Sequence, residues 1–124
     1  VEDDPRVLIA TTDALEALGH RPIACHDPAL ALAMIDAHPE IQLVISDVLM
    51  PGQTGPEVVA SILQRAPLVR ALFVTGFAGE AGGEAEFGAH NVLRKPFTIA
   101  ALDKAITTTM GAPRSVDSVA SQAA

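Results

Sequence analysis

The chain has 124 residues, which suits one domain with a single hydrophobic core, and 49% of them are hydrophobic. Its formal net charge of -7 disfavours binding to nucleic acids and anionic membrane surfaces, because both carry negative charge themselves. No apolar run approaches the roughly 18 residues of a membrane span, and no signal peptide is visible. The single cysteine, Cys25, excludes an internal disulfide, so we expect a cytoplasmic protein.

The first third of the chain predicts two helices with a short strand between them. Asp4 followed by Pro5 is typical of a helix start, and Gly19 ends this first helix. A strand is predicted over residues 21–25, and the sequence around Pro28 repeats the cap-then-proline signal of a helix start. The predicted buried face of this second helix consists of Leu30, Ala33, Met34 and Ala37.

The middle of the chain contains the stretch around which the fold is organised. An apolar run over residues 43–45 leads into Asp47 and then into the turn at Pro51 and Gly52, which predicts a strand buried on both faces. Pro56 begins a third helix. Its predicted buried stripe is Val59, Ile62, Leu63 and Ala66.

The last third continues the alternation of strands and helices. A strand over residues 71–74 ends at Thr75, a weak glycine-containing helix is predicted over residues 78–88, and a short strand over residues 91–93 precedes Lys95. Thr98 caps the last helix, whose predicted inward residues are Ile99, Leu102, Ala105 and Ile106. We expect one domain over residues 1–110 and a flexible tail or linker over residues 111–124.

Strands that alternate with helices predict a parallel sheet covered by helices on both sides. A strand should precede the first helix, but at most Val1 and Glu2 are available for it. We therefore expect that the natural polypeptide begins before Val1, or that this chain is cut from a longer one.

Polar side chains follow four of the predicted strands, and the carboxyl ends of parallel strands form one crevice. Glu2 and Asp3 follow the first, Asp47 the third, Thr75 the fourth and Lys95 the fifth. Carboxylates gathered there repel one another, and Mg²⁺ is the cation that suits such oxygen ligands. A lysine and a threonine beside them could bind an anion, which is the equipment of phosphoryl transfer with a carboxylate as nucleophile.

Four segments together resemble the receiver domain of two-component response regulators, in order and in spacing. They are residues 1–5, the Asp-Val-Leu-Met-Pro-Gly segment 47–52, Val-Thr-Gly at 74–76 and Lys-Pro-Phe at 95–97. Residues 74–78 and 92–97 are most similar to receivers fused to hybrid histidine kinases. The resemblance implies a flavodoxin-like α/β fold, a doubly wound five-stranded parallel sheet of order 2-1-3-4-5 in three αβα layers, here with a truncated first strand.

The resemblance also implies roles for single residues. Asp47 would accept a phosphoryl group from a histidine kinase or phosphotransfer domain. Asp3, Asp47 and the backbone carbonyl of Leu49 would bind Mg²⁺, with Glu2 helping directly or through water. Lys95, expected to precede a cis peptide bond to Pro96, and Thr75 would contact the phosphoryl group. A downstream protein would bind the face built from the helix over 78–88, the fifth strand and the last helix.

Val92 departs from the family pattern, because many receivers carry an aromatic residue three positions before the lysine. This departure leaves open a pseudo-receiver, a binding module without phosphoryl transfer. A phosphatase or phosphotransferase that turns over an aspartyl phosphate is a further alternative. Such enzymes carry an acid two residues after the nucleophile, where this chain has Leu49, so the sequence argues against it.

Overall fold

The computed structural model describes residues 1–76 and 91–111, and the predicted helix over 78–88 and the tail beyond 111 lie outside these residues. The helices are α1 (Pro5–Ala17), α2 (Ala31–Ala37), α3 (Gly55–Arg65) and α4 (Ile99–Met110), and a single 3₁₀ turn (Pro28–Leu30) precedes α2. The strands are β1 (Leu43–Asp47), β2 (Arg70–Thr75) and β3 (Asn91–Arg94). None of the helices in the described ranges is long and apolar enough to span a membrane.

The three strands form one parallel sheet in the order β1-β2-β3. Asp47, the last residue of β1, lies opposite Val74 of β2, and Thr75 lies opposite Arg94 of β3. The carboxyl ends of all three strands therefore meet at one edge of the sheet, as the sequence predicts.

The first two residues continue the sheet on the other side of β1. The Val1 nitrogen donates to the Ile45 carbonyl at 2.5 Å, and the Asp47 N–H donates to the Val1 carbonyl at 2.9 Å. The Glu2 N–H in turn donates to the Cys25 carbonyl at 3.0 Å. Residues 21–25 do not form the regular strand that was predicted, but Cys25 still lies outside Val1 and Glu2. The resulting order is that of the flavodoxin-like fold.

The core divides into two clusters because neighbouring residues of β2 point to opposite faces of the sheet. Phe73 packs with residues of α2 and α3, among them Ile35 and Ile62. Leu72 packs on the other face with Leu102 of α4, and α1 contributes partly buried residues there. The protein thus has three layers, with helices on both sides of a sheet whose strand β2 is buried from Ala71 to Thr75.

The buried face of the second helix differs from the predicted one. Asp27 caps the 3₁₀ turn, and the buried residues of α2 are Ala31 and Ile35, whereas Leu30 is exposed. Ala33 and Ala37 are exposed as well, and of the predicted face only Met34 packs against the core. A 3₁₀ turn has three residues per turn instead of 3.6, so an α-helical count that begins in this turn selects the wrong face.

The buried stripes of the other two predicted helices are mostly confirmed. In α3, Val59 and Ile62 are buried as predicted and Val58 is buried in addition. In α4, Leu102 and Ile106 are buried, but Ile99 is 50% exposed. Ile99 shares their helical spacing, yet it lies in the first turn of the helix, where nothing in the described part of the chain covers it.

Candidate functional site

Three predicted site residues lie at the edge where β1 ends, because the extended segment at Val1 pairs with β1. Glu2 and Asp3 leave this segment just before α1 begins, and Asp47 ends β1. The start of α1 is fixed by Asp4, whose Oδ1 accepts a hydrogen bond from the Arg6 N–H at 2.9 Å. Asp4 is therefore a helix cap, while the carboxylates of Glu2 and Asp3 lie near that of Asp47.

Lys95 brings two of these carboxylates together. Its Nζ lies 2.9 Å from Glu2 Oε1 and 3.3 Å from Asp47 Oδ1. All three side chains are largely buried, with exposed fractions of 21% for Lys95, 9% for Glu2 and 11% for Asp47. The Lys95 N–H donates to the Thr75 carbonyl at 2.7 Å, and the Lys95–Pro96 peptide bond is cis, as expected. Contacts at both the backbone and the ammonium group thus fix the position of Lys95.

The site contains one group of carboxylates that could hold a metal ion. Ligand oxygens of Glu2, Asp3 and Asp47 all lie within 4.8 Å of one another. An octahedral Mg²⁺ binds oxygens at about 2.0–2.1 Å, so opposite ligands stand about 4.2 Å apart. Small side-chain movements would therefore bring these oxygens into its coordination shell. Three carboxylates and the Lys95 ammonium leave two negative charges, which a divalent cation would balance.

Burial and ionic contacts shift the pKa values of two members of the site, Glu2 and Lys95. Burial raises the pKa of Glu2 above its ordinary value of 4.5, although the hydrogen bond from Lys95 opposes this. Burial acts to lower the pKa of Lys95, but its hydrogen bond to Glu2 and the nearby charge of Asp47 outweigh burial and raise this pKa above 10.5. Lys95 therefore keeps its positive charge at neutral pH.

Thr75 and Leu49 flank this group of charges. Thr75 is the last residue of β2 and is buried, one position beyond the residue that pairs with Asp47. Leu49 lies two residues beyond the end of β1, and its side chain is half exposed. The Val48 N–H donates to the Val74 carbonyl at 3.2 Å, which ties the segment leading to Leu49 to β2.

Sequence reasoning missed two residues that contact the backbone of Asp47. The hydroxyl of Ser46 donates to the Asp47 carbonyl at 2.8 Å. A Cβ atom at Gly55, the first residue of α3, would lie 2.2 Å from the same carbonyl oxygen. A serine inside an apolar strand was a signal for the first, whereas the sequence offered none for the close approach at the second.

Comparison of the sequence with known proteins gives the family that the four sequence segments resemble. The sequence model of the response regulator receiver domain matches residues 1–107. The response regulator protein FleR of Pseudomonas aeruginosa is 38% identical over 104 residues, covering 82% of this chain and 22% of FleR. The sensor kinase CckA of Brucella abortus is 29% identical over 108 residues, covering 80% of this chain and 11% of CckA. The chain therefore spans about a fifth or less of these relatives.

The fold is likewise that of solved receiver structures. The response regulator TrrA of Thermotoga maritima, solved in complex with Mg²⁺-BeF, superposes with a TM-score of 0.76 at 20% identity. The superposition covers 86% of this chain and 92% of the TrrA chain. Because the family's sequence model spans nearly the whole chain, this protein belongs to the response regulator receiver domain family.

Proposed function

We propose that the protein is a phosphoacceptor switch of two-component signalling rather than an enzyme with turnover, and that Asp47 takes up the phosphoryl group. The main support is the position of an Asp47 carboxylate oxygen 3.3 Å from the Lys95 ammonium, within a group of three carboxylates. This arrangement offers a nucleophile together with the positive charge that an incoming phosphoryl group needs. The donor would be a histidine kinase or a phosphotransfer domain.

In the proposed transfer, one Oδ atom of Asp47 attacks the phosphorus of the donor's phosphohistidine. The bond between phosphorus and the histidine nitrogen breaks, its electron pair stays on that nitrogen, and Asp47 becomes an acyl phosphate. The Lys95 ammonium, which its raised pKa keeps protonated, donates a hydrogen bond to a phosphoryl oxygen as charge develops there. Glu2 holds Lys95 in place for this contact through its 2.9 Å hydrogen bond.

The donor set of the site fits Mg²⁺ as the cofactor. Asp3, Asp47 and the backbone carbonyl of Leu49 would hold the ion, with Glu2 acting directly or through water. When bound, it would neutralise the negative charge that the carboxylates and the phosphoryl oxygens bring together. The Mg²⁺-BeF complex of TrrA, which has the same fold, supports this choice.

The switch requires contacts that form only in the phosphorylated state. We place one of them at Thr75, whose hydroxyl would bind a phosphoryl oxygen, beside those of Lys95 and Mg²⁺. Moving a two-state equilibrium from mostly inactive to mostly active takes about 5 kcal/mol of differential stabilisation. Charge-assisted hydrogen bonds are worth roughly 1.5–3 kcal/mol each, so those from Lys95 and Thr75 would supply about 3–6 kcal/mol, and Mg²⁺ coordination would add to this.

The output surface would be the face of β3 and α4, and a downstream protein would be its partner. Val92 of β3 is 38% exposed, and Ile99, the first residue of α4, is 50% exposed among the residues that the structure describes. The predicted helix over 78–88 would complete this face, but it lies outside the described residues. Val92 lacks the aromatic ring expected at its position, so the coupling from Thr75 to this face would run through the backbone of β2 and β3.

The proposal is tested by incubating the protein with Mg²⁺ and acetyl phosphate and measuring its intact mass. We expect the addition of one phosphoryl group to the wild type and to Asp103→Asn, which changes an exposed acid on α4. Asp47→Asn should remain unlabelled, because it lacks the acceptor carboxylate. It should also remain folded, because the change relieves repulsion among the carboxylates. Labelling of Asp47→Asn would place the acceptor elsewhere, and an unlabelled but folded wild type would favour the pseudo-receiver.

A further inference from the structure

We propose that Ser46 and Gly55 are positioning residues for the phosphoacceptor, and that they act by fixing the peptide group between Asp47 and Val48. Neither residue touches the carboxylate of Asp47 in the contacts described above. Both instead contact the Asp47 carbonyl, one by a hydrogen bond and the other by close approach. This inference rests on the proposed function of Asp47.

The backbone at Asp47 and Val48 is held at all four of its polar groups. The Asp47 N–H donates to Val1 at 2.9 Å, and the Val48 N–H donates to Val74 at 3.2 Å. The Asp47 carbonyl accepts from the Ser46 hydroxyl at 2.8 Å, and the Val48 carbonyl accepts from the Gly55 N–H at 2.6 Å. Two of the four partners are strand neighbours, whereas the other two depend on Ser46 and Gly55.

The Ser46 hydroxyl is the side-chain member of this set. Ser46 is fully buried and follows three apolar residues of β1, and its hydroxyl donates to a carbonyl at the point where the strand ends. Removing the hydroxyl would leave that partly buried carbonyl without this donor, which would allow the peptide group to rotate. A rotation there moves the Cα–Cβ bond of Asp47, and with it the carboxylate relative to Lys95.

Gly55 contributes by having no side chain. A Cβ atom there would lie 2.2 Å from the Asp47 oxygen and 3.1 Å from the Val48 Cα, and both contacts are with backbone that cannot swing aside. Any larger residue would therefore push α3 away from the end of β1. The helix start would then no longer support the peptide that carries the acceptor.

Geometry of this kind affects the rate of transfer more than the binding of the donor. A displacement of about 1 Å at a reacting group can cost about 10²-fold in rate. We expect Ser46→Ala to lower the maximal rate of phosphorylation by acetyl phosphate about 10-fold and Gly55→Ala about 10²-fold. The donor concentration for half-maximal rate should stay unchanged in both, because neither residue contacts the donor.

The matched control is Thr109→Val. Thr109 is also buried, and its hydroxyl also donates to a main-chain carbonyl at 2.8 Å, that of Ala105. Its other partners, Asn91 and Arg70, lie at the amino ends of β3 and β2, away from the site. Thr109→Val should therefore lower the unfolding temperature as Ser46→Ala does, but leave the phosphorylation rate of the folded protein at the wild-type value.

The measurement is the rate of phosphorylation over a series of acetyl phosphate concentrations at saturating Mg²⁺, for samples shown by circular dichroism to be folded. A slower maximal rate in Ser46→Ala than in Thr109→Val supports the proposal. Equal rates in these two variants overturn it, even if Gly55→Ala fails to fold. If the wild type takes up no phosphoryl group, the proposed function of Asp47 is wrong, which is a different result.

Discussion

Lys95 is paired with two carboxylates from distant parts of the chain, and this arrangement makes the site sensitive to charge. Its ammonium lies 2.9 Å from Glu2 and 3.3 Å from Asp47. When buried charges compensate one another, removal of one leaves its partner buried without a counter-charge, which destabilises the protein. The groups that would prepare Asp47 for the proposed reaction should therefore also influence how the stability of the protein depends on pH.

At this scale we predict that Glu2→Gln becomes more stable relative to the wild type as the pH rises. Burial raises the pKa of Glu2 in the folded protein, so its protonated form is favoured there. The stability that Glu2 contributes is present below its ordinary pKa of 4.5 and is lost as the pH rises through its higher folded pKa. Glutamine stays neutral and does not lose it.

The measurement is urea unfolding of both proteins between about pH 4 and about pH 7 without Mg²⁺. We expect the difference in unfolding free energy to move in favour of Glu2→Gln across this range. A difference that stays constant, or that moves in favour of the wild type, would contradict a raised pKa of Glu2 in the folded protein.

The sequence was sufficient to predict some residues of the site, but not all of the contacts between them. Asp47, Thr75 and Lys95 were predicted because each follows an apolar strand, and the structure brings Asp47 and Lys95 into contact. The contact between Lys95 and Glu2 was not predicted, because it depends on how the first residues pair with β1. Pairing of that kind is decided by backbone hydrogen bonds between distant segments, which leave no local pattern.

At the scale of elements, α3 connects the core to the site. Its start is fixed by a capping box, in which the Glu57 N–H donates to Thr54 Oγ1 at 3.3 Å and the Thr54 N–H donates to Glu57 Oε1 at 2.9 Å. The next residue, Gly55, approaches the backbone of Asp47. The cap therefore holds the helix end that supports the acceptor strand.

We predict that Thr54→Ala lowers the free energy of unfolding by about 1–2 kcal/mol, because it removes the hydroxyl that accepts from the Glu57 N–H in this capping box. Thr98→Ala at the N-cap of α4 is the matched change, since Thr98 accepts from the Ala101 N–H at 3.0 Å and an alanine at position 101 cannot return a side-chain hydrogen bond. Its cost should be about 1 kcal/mol or less. Urea unfolding of both variants compares them, and a larger loss in Thr98→Ala would argue against the capping box at α3.

The sequence predicted most elements correctly but not every face. The cap at Thr98 and the start of α1 at Pro5 follow from local signals, and the structure confirms both. The prediction of the buried face of α2 was wrong, because the 3₁₀ turn at Pro28–Leu30 changes the periodicity. Local signals thus predict where helices begin, whereas packing decides which face is buried.

At the scale of the whole molecule, a negatively charged chain brings three carboxylates together at one edge of its sheet. The chain has a net charge of -7, and three of its carboxylates meet at the ends of the strands. A cation that binds only the folded protein stabilises it by mass action. Metal binding and folding should therefore be coupled.

We predict that Mg²⁺ stabilises the protein by about 2.7 kcal/mol at a concentration one hundred times its dissociation constant. Thermal unfolding with and without Mg²⁺, with reversal by a chelator, measures this effect. Asp3→Asn should reduce it, whereas Asp103→Asn, which removes an acid outside the group, should leave it intact. Equal stabilisation of the two variants would mean that Mg²⁺ acts on the overall charge and not at this site.

The central claim is that Asp47 is the acceptor, and chemical mapping of the modified residue tests it most directly. The protein is phosphorylated with acetyl phosphate and Mg²⁺, treated with borohydride, which reduces an acyl phosphate to an alcohol, and digested for peptide mass spectrometry. We expect a single reduced residue, a homoserine at position 47, in the wild type and none in Asp47→Asn. A reduced residue at any other aspartate or glutamate, with position 47 unchanged, would contradict the account.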